Sequence, residues 1–162
     1  MTVVFSAFPT TLDAFRSAEQ NDLTKPENTC AMFLAALALF DRDKAAGTEA
    51  INLLRGPRTL LPYDVQFLKD RLRGKAYLPF AYFDGAAPEN QYKPAEPYTL
   101  QVLEDPRPQD IEDGYLRIFL KTAGADSPRP IKLRRKGNCY YLWEYSSVLS
   151  GIRIPAAEDP WA

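Results

Sequence analysis

Histidine is absent from all 162 residues. Its absence removes the usual general base at neutral pH, the Ser-His and Cys-His nucleophile pairs, and the commonest transition-metal ligand. Cysteine is scarce: Cys30 and Cys139 are the only two, too few for a Cys-rich zinc site. A disulfide between them is conceivable on count alone, but two small buried apolar side chains is the simpler reading. Excess charge is missing as well. A formal net charge of −1 gives no global field towards nucleic acid or an anionic membrane, so only a local patch remains. Long apolar runs are lacking too. The longest, "CAMFLAALALF", is shorter than the ~20 residues a bilayer span takes, and it reads as a buried helix. The start, "MTVVFSAFPTT", has no basic region and only a short apolar run, so no targeting segment is expected and a cytoplasmic location is the default.

What is present describes an ordinary soluble domain. A 46% hydrophobic fraction over this length suffices to bury one core without disulfide or metal support. A single domain over 1–162 is therefore expected, in three parts: a helical half at about 10–74, a proline- and aromatic-rich loop at about 75–97, and a sheet half at about 98–146. No internal repeat interrupts it.

Four helices are predicted. "TTLDAFRSAEQND" begins with Thr10 as cap and Asp13 three residues on, a capping-box spacing. "TKPENTCAMFLAALALFDRD" has Thr24 and Glu27 at the same spacing, with Pro26 in the first turn, where its missing N–H costs nothing. Phe33, Leu34 and Leu37 form one stripe, but alanine and leucine run nearly all round, as in a helix covered on several sides. "DKAAGTEAINLLRGP" has Asp43 as cap and ends at Gly56-Pro57. "LPYDVQFLKDRLRG" starts with Pro62, carries Val65, Leu68 and Leu72 on one face, and stops at Gly74. Beyond it, "KAYLPFAYFDGAAPENQYKPAEPY" is stiffened by Pro79, Pro88, Pro94 and Pro97 and reads as an ordered loop, not a flexible linker.

Four strands follow. "YTLQVLED", "GYLRIFLKT" and "PIKLRR" alternate apolar with polar residues, and "CYYLWEY" is the fourth. Such alternation marks an antiparallel sheet covered on one face. The fold class expected is α+β, with four N-terminal helices packed on one face of a C-terminal antiparallel sheet of about four strands.

The turn "RRKGNCYY" decides which face the last aromatics occupy, because a one-residue slip turns every side chain over. A two-residue loop, Gly137-Asn138, sets Arg134 opposite Tyr141 and Lys132 opposite Trp143, displaying a cation–aromatic ladder away from Ile131 and Leu133. A three-residue loop, Arg135-Lys136-Gly137, puts Cys139, Tyr141 and Trp143 on the inner face with those aliphatics. The second is preferred, since burying Trp or Tyr removes ~150–250 Å² each from water. Lys132, Arg134 and Lys136 then form a solvated outer face.

No catalytic, cofactor-binding or metal-binding residue is indicated. Adjacent carboxylates such as Glu104/Asp105 and Glu112/Asp113 point to opposite faces of a strand and read as surface charge. Ser127 in "GADSPRP" has no base partner. Arg117, Lys121, Lys132 and Arg134 form a candidate basic patch on one sheet face, imitating a single-strand platform with Phe119 or Tyr140. Solvated charge is the commoner meaning of such a set, and Glu144 dilutes it, so nucleic acid is disfavoured as a partner.

The segments "LLRGPRTLLPYDVQFLKDRLRGKAYLPFAYFDGAAPENQYKPAEPYT" and "GADSPRPIKLRRKGNCYYLWEYSSVLSGIRIPAAEDPWA" resemble an uncharacterised family of small bacterial proteins, mostly from gut Firmicutes. The resemblance implies an intracellular single-domain protein and carries no activity, substrate or cofactor.

The function expected is non-enzymatic, a cytosolic binding or adaptor protein acting through protein–protein contacts. Tyr82, Phe83, Tyr92 and Trp161 are its candidate contacts, because proline-stiffened aromatic segments present surface at little ordering cost. The alternative is a small-molecule-binding α+β domain, or a weakly specified enzyme, with a cone-like pocket between helices and sheet. That reading rests on element order alone.

Overall fold

A computed structural model describes all residues from Met1 to Ala162. The chain runs β1 (Thr2–Phe5), α1 (Leu12–Ser17), α2 (Pro26–Arg42), α3 (Lys44–Arg55), α4 (Pro62–Leu72), β2 (Tyr98–Glu104), β3 (Tyr115–Leu120), β4 (Arg129–Lys136) and β5 (Cys139–Glu144). It is an α+β protein with a five-stranded antiparallel sheet in the order β1-β2-β3-β4-β5. The expected count of about four strands is corrected by β1, which precedes the helices and pairs with β2 through Thr2–Gln101 and Val3–Leu100. Its Val3 and Phe5 alternate into the core, but four residues beside no turn signal are too short a pattern to read alone.

Helix α2 is the centre of the molecule. Every residue from Asn28 to Leu37 is buried, as are Leu39 and Phe40, as the all-round apolar sequence requires. It packs on α3, β5 and β1. The buried strand positions Leu100, Val102, Ile118, Leu120, Ile131, Leu133 and Leu142 join the same core. Cys30 lies inside it, and neither it nor Cys139 is bridged. Burial pushes the Cys30 thiol far up from its ordinary range, with the nearby Glu27 carboxylate adding to it, so it behaves as a small apolar side chain.

The predicted helix ends hold in part. Asp43 caps α3, its Oδ1 accepting from the Ala46 N–H at 3.1 Å, and Gly56 follows α3 at φ 62°. Pro62 opens α4, where Asp64 accepts from the Leu61 N–H at 2.8 Å. Helix α1 is capped by Thr11 instead of Thr10, one residue on. The box expected at α2 does not form. Lys25 occupies the cap position, and Thr24 turns its hydroxyl to Asp22 at 2.6 Å.

The proline-rich segment is ordered, with short 3₁₀ turns at Leu78–Tyr82 and Pro88–Asn90. Its aromatics point inward. Phe80 and Phe83 join Phe5, Phe8 and Tyr98 in a cluster of rings 5.1–6.2 Å apart. Tyr92 stacks on Tyr77 at 5.2 Å, and its hydroxyl donates to the Arg153 carbonyl.

One contact sets how closely α2 and α3 approach. Gly47 faces the Phe40 backbone so tightly that a Cβ there would lie 2.2 Å from Phe40 Cα. Gly47→Ala is expected to destabilise the fold by about 2 kcal/mol or more, because the clash is with backbone that cannot move aside. Urea midpoints measure it. An unchanged midpoint would mean the two helices are not apposed at this point.

Candidate cationic cleft

The hairpin turn is Gly137-Asn138. Lys136 pairs with Cys139, Arg135 with Tyr140, Arg134 with Tyr141 and Leu133 with Leu142. Gly137 has φ 61°, suited to the first central position of a type II′ turn. The three-residue loop preferred from sequence is therefore corrected: Tyr141 shares the outer face with Arg134, and Leu142 is the inward residue. The register then shifts between Leu133 and Lys132, so Lys132 lies opposite Glu144 and β5 carries one extra residue. Trp143 sits at this bulge. Its ring meets Tyr115 of β3 edge-on at 5.5 Å.

A second element completes the site. After α3 the chain turns at Gly56 and crosses Tyr141; a Cβ on Gly56 would lie 2.8 Å from the Tyr141 ring. This brings Arg55, Pro57 and Arg58 alongside the outer face of β4 and β5. Arg55 is buried, with its Nε donating to the Arg58 carbonyl at 2.9 Å and one terminal nitrogen reaching the Trp143 carbonyl at 3.5 Å. It pins the loop to β5. The Arg58 guanidinium lies over the Trp143 ring at 4.1 Å, and that of Arg134 at 4.7 Å. Arg134 also lies 5.4 Å from the Tyr115 ring centre.

The result is a cleft of about 490 Å³ lined by Arg55, Pro57, Arg58, Arg134, Arg135, Lys136, Tyr141 and Trp143. It holds five cations and no carboxylate, and none of the five belongs to an ion pair. With a net charge of −1 for the whole chain, the rest of the molecule is net acidic. An adjacent depression of about 270 Å³ shares Arg55, Arg58 and Trp143 and adds Asp64 and Glu144, which bound the positive region on that side. Burial pushes the Tyr145 hydroxyl up to about 12, with the Arg55 charge opposing. Burial likewise raises Tyr141, with Cys139 adding to the effect. No His, Asp, Glu or Cys side chain lines the cleft.

The four basic residues singled out from sequence separate here. Arg117 and Lys132 are cross-strand neighbours, a like-charge arrangement that is unfavourable unless compensated. Each has its own carboxylate: Arg117 meets Asp105 in a two-armed pair at 2.9 and 3.0 Å, and Lys132 meets Glu112 at 2.8 Å. Those hydrogen bonds are the chief reason both carboxyls lie below their ordinary values and both cations above theirs. Lys121 is exposed beyond β3 and lines none of the five principal clefts. Only Arg134 of the four enters the cleft. Its partners Arg55 and Arg58 come from "LLRGPR", read from sequence as a helix end alone; the glycine-proline step there is the one sign that the chain changes direction.

Three of the four candidate aromatic contacts are not on the surface. Tyr82, Phe83 and Tyr92 are buried, and the Tyr82 hydroxyl donates to the Val148 carbonyl, so these rings hold the loop to the core and present no surface. Trp161 is 93% exposed. No group of three or more His, Cys, Asp or Glu side chains is placed to hold a metal ion, and no helix is long and apolar enough to cross a membrane.

The Asp105–Arg117 pair makes a pH prediction. The Asp105 side chain is only 2% exposed, and its carboxyl is held below the ordinary 3.8 chiefly by Arg117, against the opposing effect of burial. A depressed acid stabilises the fold fully above its ordinary value and loses that contribution as pH falls through the lower folded value. Asp105→Asn is therefore expected to lower stability at neutral pH and to flatten the loss of stability below pH ~4. Urea midpoints across that range measure it; an acid limb as steep as that of the unaltered protein would contradict the pairing.

No curated protein and no solved structure matches the chain. A family profile does match, over residues 7–156, taking in all four helices and β2 to β5. The chain belongs to the family described as a domain of unknown function, DUF6935.

Proposed function

We propose that the protein is a non-enzymatic cytoplasmic binding module whose contact surface is the cationic cleft, and whose partner is a protein presenting acidic groups. One observation carries this reading: five cations outside any ion pair line one cleft with no carboxylate, and two of them, Arg58 and Arg134, lie over Trp143. Cations left without acids, on a chain that elsewhere pairs Arg117 and Lys132 individually, are the arrangement expected of a surface awaiting charge from outside. The outer rings are held rigidly by strand pairing and by Arg55, so little ordering is required on contact. The lack of His, Asp, Glu and Cys among the lining side chains favours binding over catalysis. The cone-like pocket is less well supported. The buried sheet positions and the helices share one hydrophobic core, and the cleft that gathers the cations lies on the other face of the sheet.

Capture from host lysate with the tagged protein tests the reading, using Arg134→Glu/Arg135→Glu as the comparison. Both side chains are exposed, so the fold is expected to survive, which circular dichroism checks. Protein partners held by the unaltered chain are expected to fall at least about tenfold with the double variant, since each site then presents repulsion instead of attraction. Partners retained by the double variant but lost with Trp161→Ala would move the contact to the C-terminal tail and overturn this assignment.

A further inference from the structure

We infer that the group received by the cleft is a doubly charged phosphoryl group, either a phosphomonoester or the terminal phosphate of a diphosphate, gripped by Arg58 and Arg134 with Arg135 and Lys136 at its mouth. This rests on the reading of the cleft as the contact surface and names the chemistry that the surface takes.

Three observations favour phosphate over the other anions such a surface meets. The first concerns the rings. A platform for single-stranded nucleic acid leaves aromatic faces free for bases to stack on. Here the rings of the outer face are covered by the chain's own cations: Arg58 and Arg134 over Trp143, Lys132 over Tyr115, and Arg117 over Phe119 at 5.6 Å. Tyr141 is overlaid by Gly56. A base entering the site has to displace a guanidinium first. The second concerns what the rings do for those cations. A guanidinium laid on an indole is fixed in orientation while its N–H edge stays available, and such a planar edge matches two oxygens of one phosphate. Two guanidiniums fixed over a single ring form a clamp that needs little ordering. The third concerns charge and size. Five cations with no carboxylate exceed what one carboxylate neutralises, whereas a phosphomonoester carries about −1.5 to −2 at neutral pH. The volume of about 490 Å³ is larger than a bare phosphate and falls within the ~300–1,000 Å³ of ordinary ligand sites, so the phosphoryl group arrives attached to something.

The phosphoryl group has two possible sources, a free phosphorylated small molecule or a phosphorylated side chain of a protein partner. Isothermal titration at ~0.1 M salt, where distant charges are screened, separates them. The probes are sodium pyrophosphate, a short peptide with one phosphoserine, the same peptide with serine or glutamate at that position, and oligodeoxythymidylate. Pyrophosphate is expected to bind. Arg58→Ala and Arg134→Ala are each expected to weaken it about tenfold or more, the scale of one lost charge-assisted contact. Arg107→Ala, which removes an exposed arginine paired with Asp110 outside the cleft, is expected to change nothing. Lys136→Gln, at the exposed end of β4, gives a second readout should either arginine variant fail to fold. A phosphoserine peptide that binds tenfold tighter than its serine and glutamate forms, and competes with pyrophosphate, assigns the protein source; pyrophosphate binding with no preference for the phosphopeptide assigns the free one.

Glutamate and phosphoserine peptides binding equally, with no pyrophosphate bound, would overturn the phosphate assignment and leave the acidic-partner reading intact. Oligodeoxythymidylate binding that pyrophosphate does not compete for would overturn both. So would the absence of binding by every probe, combined with unchanged lysate capture by the charge-reversed variant.

Discussion

The strand register set at Gly137-Asn138 decides what the outer face of the sheet is made of. With two residues in the turn, Arg134 stands opposite Tyr141 and Leu133 opposite Leu142. With three, every side chain of one strand would exchange faces relative to the other. The core then loses Leu142, which is 1% exposed, and the cleft loses Tyr141. The bulge at the Leu133/Lys132 step then places Trp143 beside Tyr115. Arg58, Arg134 and the Gly56 turn all assemble around rings that this register has put outside.

Aromatic burial favours the other register only where the outer face is bare to water, because displaying Trp143 and Tyr141 there is costly. The face is not bare. The α3–α4 connection folds over it, Gly56 lies against Tyr141, and the guanidinium groups of Arg58 and Arg134 cover Trp143. The rings recover their burial from a loop whose path periodicity does not report. Both are half-buried as a result. Arginine and lysine cover apolar surface while keeping charge exposed, and this makes one residue serve both stability and recognition.

Much of the remaining fold was legible because its signals are local. Alanine and leucine all round α2 announced a central helix, Asp43 and Pro62 marked helix starts, and strict alternation located β2, β3 and β4. Where tertiary contacts compete with local ones, local rules misled. Thr24 prefers Asp22 to the α2 N-terminus. β1 is defined by its partner β2 instead of its own pattern. The prolines around Tyr82, Phe83 and Tyr92 allow either a rigid display of these rings or their packing into the loop and core, and burial places them in the core. The candidate site was the least legible part. Its cations come from a helix end, a connecting loop and a hairpin far apart in sequence. Which cations are neutralised depends on Asp105 and Glu112, whose pairing with Arg117 and Lys132 no spacing rule reveals.

The most direct measurement is the cross-strand pairing itself, read from nuclear Overhauser contacts between backbone protons of β4 and β5. The account predicts Arg134 opposite Tyr141 and Leu133 opposite Leu142, with Lys132 opposite Glu144 beyond the bulge. Contacts placing Leu133 opposite Cys139 and Ile131 opposite Tyr141 would contradict it. They would turn Tyr141 and Trp143 into the core and dissolve the cleft.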